Sequence, residues 1–183
     1  YSNVAIGSAA LRNNIDGSNL VAIGDSALFH QLDDQFGFNQ NTAVGSKAGY
    51  SNEFGSYNAF FGYRAGYNST SDYCSFFGNS AGENSTGSQN SFFGSFSGAD
   101  NTTGVNNTFF GFGAGGQNTS GIDNICIGNF SGGSNESGDK NTIIGYNAGD
   151  EFSASNYNNS TVLGYAAVPT ASNQVRLGND VVT

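Results

Sequence analysis

Asn107-Thr108-Phe109-Phe110-Gly111-Phe112-Gly113-Ala114-Gly115 decides the fold, because its pattern recurs along the whole chain. Two apolar residues followed by a glycine also stand at Phe60-Phe61-Gly62, Phe76-Phe77-Gly78 and Phe92-Phe93-Gly94. The earlier copies are smaller: Ala5-Ile6-Gly7, Ala22-Ile23-Gly24 and Ala43-Val44-Gly45. The later ones are Cys126-Ile127-Gly128, Ile143-Ile144-Gly145, Val162-Leu163-Gly164 and the divergent Arg176-Leu177-Gly178. Successive glycines lie mostly about 16 or 17 residues apart. So short a period means stacked turns of one coil, in which each repeat touches only its neighbours. The expected fold class is all-β, a parallel β-roll or solenoid of about eleven coils.

Successive strand residues point to opposite faces. Phe109 and Phe110 therefore lie on opposite sides of the strand, and both columns are apolar in ten copies. A sheet with one wet face carries apolar residues on one side only. Both faces here need cover, one from the interior of the coil and the other from a partner chain. The columns that would pack the core or the chain–chain contact are Ile6, Ile23, Val44, Phe60, Phe61, Phe76, Phe77, Phe92, Phe93, Phe109, Phe110, Ile127, Ile143, Ile144 and Leu163.

The repeat glycine would end or bend the strand through a positive φ or a close backbone approach. A small residue three places on (Ala48, Ala65, Ala81, Ser97, Ala114, Ser131, Ala148) suits a narrow part of the coil, and the glycine after it suits a turn. Asparagine recurs four residues before the repeat glycine, at Asn3, Asn41, Asn58, Asn90, Asn107, Asn124 and Asn141. Two readings stand side by side: a ladder that hydrogen-bonds from coil to coil, or a cap for each residue's own turn.

Composition removes several functions. The chain has 183 residues, 10% of them charged, with five Lys+Arg and a net charge of −9. Phosphate recognition needs clustered positive charge, so nucleic acid is not an expected partner. No apolar run approaches the ~18 residues that a membrane helix needs, so no direct membrane insertion is expected. Cys74 and Cys126 belong to coils three repeats apart, roughly 14 Å at one strand spacing per coil. That is too far for a disulfide. Cys126 sits in an apolar column and reads as a small buried residue.

The stretches Asn3-Val4-Ala5-Ile6-Gly7-Ser8-Ala9-Ala10 and Asn141-Thr142-Ile143-Ile144-Gly145-Tyr146-Asn147-Ala148-Gly149 resemble the YadA-like head repeats of trimeric autotransporter adhesins and related phage or surface-appendage fibres. The resemblance covers nearly the whole chain. It implies a left-handed parallel β-roll, three chains side by side as a homotrimer, and an extended extracellular fibre on a cell surface or virion. The period here is longer and the Phe-Phe pairs bulkier than is usual in those repeats. The final segment, Ser172 to Thr183, resembles the one that closes such fibres ahead of an endosialidase-type intramolecular chaperone. The expected organisation is one repeat domain over 1–183, an internal segment of a longer fibre, with residues 165–183 closing it.

Catalysis finds little footing. His30 is the only histidine, and no G-x-S-x-G elbow accompanies it. Two cysteines and one histidine do not make a zinc site. Asp33-Asp34 and Asp150-Glu151 read as solvated acidic turns rather than calcium ligands. No enzyme activity, cofactor or metal is expected. The longer spacings, Gly24 to Gly45 and Gly145 to Gly164, carry Phe29, His30, Phe36 and Phe38 in one and Phe152 and Tyr157 in the other. Aromatic groups on insertions would contact a glycan, matrix or host-cell receptor, or fold back as caps over the roll. The expected function is a structural and adhesive trimeric fibre. The alternative is an ice- or carbohydrate-binding solenoid, although Ala59, Ser75, Ser91 and Ile125 interrupt the column of Thr42, Thr108, Thr142 and Thr161.

Overall fold

A computed structural model describes residues 2–32, 39–150 and 156–180. It is a parallel β-solenoid of about ten turns. Eleven three-residue strands form one sheet in chain order: β1 (Val4–Ile6), β2 (Val21–Ile23), β3 (Thr42–Val44), β4 (Ala59–Phe61), β5 (Ser75–Phe77), β6 (Ser91–Phe93), β7 (Thr108–Phe110), β8 (Ile125–Ile127), β9 (Thr142–Ile144), β10 (Thr161–Leu163) and β11 (Val175–Leu177). Among the described residues there is no helix. Register is strict, so Phe60, Phe76, Phe92 and Phe109 form one column and Phe61, Phe77, Phe93 and Phe110 the next.

The inner column is the core. Ala22, Ala43, Phe60, Phe76, Phe92, Phe109, Cys126, Ile143 and Val162 are all buried. The phenylalanine rings stack along the coil axis at 5.5, 4.9 and 4.8 Å between centroids. The small residues three places after the repeat glycine are buried from Ala27 to Ala167, and Ala10 is partly buried. The hydroxyls of Ser97 and Ser131 donate to the carbonyls of Phe109 and Ile143 at 3.2 and 2.8 Å.

The residue after each small one sets the core volume. Gly66, Gly82, Gly98 and Gly115 hold φ between 55° and 60°. A β-carbon on Gly82 would fall 2.6 Å from the Phe76 ring. Where the inner strand residue is Ala22, the corresponding position holds Leu28, fully buried at φ 47° despite its β-carbon. Leucine therefore fills from the turn the space that phenylalanine fills from the strand. The coil of Ala43 has alanine on the strand and Gly49 at the turn, and is filled by its neighbours. A β-carbon on Gly49 would meet the Phe60 ring at 2.7 Å and Leu28 at 2.8 Å.

The two readings of asparagine resolve onto two columns. Each asparagine four residues before the glycine clamps the next coil. The Asn107 carboxamide oxygen accepts from the Asn124 N–H at 2.9 Å, and its amide donates to the Gly121 carbonyl at 2.8 Å. Asn3, Asn41, Asn58, Asn90, Asn124 and Asn141 use their oxygens in the same way. A second column, seven residues after the glycine, caps its own turn. Asn14, Asn52, Asn101, Asn118 and Asn135 each donate to the carbonyl three residues on. It also forms a side-chain ladder, in which Asn118 donates to Asn101 at 2.7 Å and Asn101 to Ser85 at 2.9 Å.

Cys74 interrupts the first column. Its backbone receives the Asn58 clamp, and its thiol meets the following coil through a 3.6 Å contact to the Gly87 carbonyl and through the backbone N–H groups of Asn90 and Gln89. Replacing Cys74 by asparagine is expected to stabilise the fold by about 1 kcal/mol, because a carboxamide makes stronger bonds than sulfur to the Gly87 carbonyl and from the Asn90 N–H. Urea denaturation measures this, and a lowered midpoint would show that the thiol fits a space closed to an amide. Both cysteines are free and buried. Burial pushes both thiols up, Cys126 to about 12.

Candidate interaction surface

The outer strand column faces away from the core. It runs Ile6, Ile23, Val44, Phe61, Phe77, Phe93, Phe110, Ile127, Ile144, Leu163 and Leu177, one apolar residue per strand without interruption. Its phenylalanines stack at 4.7, 4.8 and 5.9 Å. In the single chain Phe110 is 58% exposed, Ile6 58% and Leu177 64%, and Phe61, Phe77 and Phe93 are half-buried. The first residue of each strand shares this face. Val4, Ile125 and Val175 are exposed there, with Thr42, Ser75, Ser91, Thr108 and Thr142 between them. The face is thus an apolar ridge beside a mixed column of small, hydroxylated and β-branched residues.

The residues grouped from sequence as packing columns therefore divide in two. Phe60, Phe76, Phe92, Phe109 and Ile143 are core. Ile6, Ile23, Val44, Phe61, Phe77, Phe93, Phe110, Ile127, Ile144 and Leu163 form the ridge. Scattered exposed apolar residues are ordinary on a protein surface, but an unbroken row along an entire sheet is a candidate interaction face.

The residues proposed for partner-binding loops are placed differently. Phe29 and His30 belong to the regular coil after β2. Phe29 stacks on Tyr50 at 5.1 Å, Tyr50 on Tyr67 at 5.1 Å, and His30 meets Tyr50 edge-on at 5.0 Å. Arg12 and Arg64 cover the Phe29 and Tyr67 rings at 5.7 and 4.4 Å. The His30 backbone pairs with Tyr50 as in other coils. Gln31 and Asn39 are buried, and Gln31 accepts from Asn41 and Asn52 at 2.8 and 3.0 Å. Residues 29–32 are thus part of the stack, not of a removable insertion. Tyr157 is half-buried and packs against the core. Phe36, Phe38 and Phe152, with Asp33, Asp34 and Glu151, lie outside the described residues.

Among the described residues no helix is long and apolar enough to cross a membrane. The fold and its face define the chain as a parallel β-solenoid with an apolar ridge along one side. No protein-family model, curated protein or solved structure matches it.

Proposed function

We propose that the chain is a structural segment of an extracellular homotrimeric fibre, a left-handed β-roll whose ridge packs against those of two other copies. The observation that carries this reading is the unbroken outer column. It has one apolar side chain on every strand, in register with the core column, and the single chain leaves it in contact with water. Hydrophobic burial stabilises by about 25 cal/mol per Å². A ridge repeated on every coil therefore gives a large gain to any arrangement that covers its whole length at once. Parallel, in-register copies around an axis along the rod meet this condition, because identical rows then face each other coil by coil. The resemblance of Asn141–Gly149 to trimeric head repeats supports three chains rather than two.

Such an assembly suits a spacer that projects a surface away from its anchor. At about 4.8 Å per strand the described coils extend roughly 50 Å. The attachment role rests on the resemblance and on side chains displayed outside the ridge.

Phe77→Asp with Phe93→Asp places two carboxylates per chain in the ridge, and three times as many at a shared axis. The double variant is expected to sediment as a monomer while keeping the β-sheet circular dichroism of the parent, since neither side chain belongs to the core. A variant that keeps the parent's sedimentation coefficient would place the ridge outside the interface.

A further inference from the structure

On the far side of the repeat glycines, a column that is filled in the first coils empties in the later ones. Five residues after the glycine stand Arg12, Phe29, Tyr50 and Tyr67, which form the aromatic ladder; thereafter the column reads Glu83, Ala99, Gly116, Gly133 and Asp150. The missing side chains open a trough of about 540 Å³. Its apolar wall is Phe96, Phe112 and Phe130, and its polar wall includes Asp100 and Gln117. Phe112 meets Phe96 at 5.8 Å and Phe130 at 5.2 Å, edge-on to both, with interplanar angles of 79° and 81°. Gly113 occupies the position between Phe96 and Phe130 in their own column, and a β-carbon there would fall 3.0 Å from the Phe130 ring.

The coil does not need these rings. Phe96 and Phe130 sit at φ 59° and 57°, left-handed backbone that costs about 1–3 kcal/mol for a residue with a β-carbon. Other coils place Ser26, Lys47, Ser80 or Asn147 at the same position. All three rings are substantially exposed, so burial does not offset that cost. The charge of the lining is one-sided. Glu83, Asp100 and Asp150 contribute carboxylates, and among the described residues no lysine, arginine or histidine lines the trough. Arg64, one coil earlier, pairs with Glu83 at 2.7 Å. Among the described residues the Asp150 carboxylate accepts from a neutral hydroxyl, that of Ser134 at 3.2 Å, and Asp100 is exposed.

We propose that this trough binds a basic peptide segment, with an arginine or lysine side chain over the Phe112 ring and its neighbours on Asp100 and Asp150. Aromatic faces attract guanidinium and ammonium groups, worth about 0.5–2 kcal/mol each, and uncompensated carboxylates add charge complementarity while rejecting anions. From Glu83 to Asp150 the trough crosses four coil spacings, roughly 19 Å. That length takes about five or six extended residues.

The proposal goes beyond the trimer reading. The trough uses residues after the repeat glycine and the ridge uses residues before it. The mass of every variant, measured in the binding samples, separates failure of one from failure of the other. The probe is the blocked pentapeptide Arg-Gly-Arg-Gly-Arg, titrated calorimetrically into the full chain at low salt. Saturable binding that weakens with added salt is expected. Phe112→Ala and Asp100→Lys, both at exposed positions, are each expected to weaken it about tenfold or more. Phe54→Ser, at an exposed phenylalanine outside the trough, leaves it unchanged. Equal affinity in Phe112→Ala and Asp100→Lys would overturn the proposal. So would equal affinity for the same peptide with citrulline in place of arginine, or preferential binding of a neutral oligosaccharide such as maltotriose.

Discussion

Replacing Phe92 by alanine is expected to cost about 3–5 kcal/mol per chain, the range for a buried aromatic whose cavity stays open. Phe92 is fully buried, stacked 4.9 Å from Phe76 and 4.8 Å from Phe109. Its ring occupies the space that Gly98 leaves by lacking a β-carbon. Collapse would require the coils above and below to approach, and the backbone bonds hold them apart. The Ser91 N–H donates to Asn107, and the Gly94 N–H to Phe77, at 2.8 and 2.7 Å. Phe93→Ala is the informative companion. The Phe93 ring is half-buried in the single chain, so an isolated coil loses little, whereas a trimer loses nearly as much as for Phe92. Urea unfolding at several protein concentrations measures both, since an oligomer's stability rises with concentration. An unchanged midpoint for Phe92→Ala would contradict the core assignment.

The second large effect is expected at a repeat glycine. Gly111 lies at φ 141°, and a β-carbon there would fall 2.5 Å from the Gly128 carbonyl oxygen in the next coil. The atom in the way is backbone, so no side chain can move aside. Gly111→Ala must either twist the strand end or separate two coils whose Gly128 N–H donates to the Phe110 carbonyl at 2.8 Å. The expected cost is roughly 3–5 kcal/mol, from an unfavourable backbone region plus the steric overlap. Nearest-neighbour coupling in a solenoid makes the damage local. Hydrogen exchange should therefore accelerate first around β7 and β8 and last near β2. Uniform acceleration along the chain, or none, would contradict the stacking of glycines as the reason for this column.

Much of this architecture can be read from the residues. The Phe-Phe-Gly spacing gives the coil, the strand position and two apolar columns on opposite faces, because in-register parallel stacking converts sequence period directly into spatial column; which of the two faces the core depends on the direction in which the coil closes, and the pair of identical residues does not encode it. The asparagine four residues before the glycine was visible as a column, but its partners were not. Whether a carboxamide reaches the next coil or its own turn depends on backbone direction, which composition does not encode. The second asparagine column, at Asn52, Asn101, Asn118 and Asn135, is less legible because Gln31, Ser69 and Ser85 interrupt it. The place of Phe29 and His30 within the regular coil is hidden in the sequence for a related reason. The long spacing from Gly24 to Gly45 shows that residues are inserted but not where, and the Phe29–Tyr50 stacking with the His30 and Leu32 backbone bonds shows that the regular coil includes residues 29–32. The trough was legible in principle, since Ala99, Gly116 and Gly133 share one column and Phe96 and Phe130 another. Neither column contains the repeated apolar pair that draws attention first.

The central claim is that the apolar ridge is a shared surface between three copies. Sedimentation equilibrium of the 183-residue chain tests it most directly. The account predicts a mass of three times the 18.9 kDa chain at micromolar concentration, whereas a single species of 18.9 kDa, soluble and folded, would contradict it.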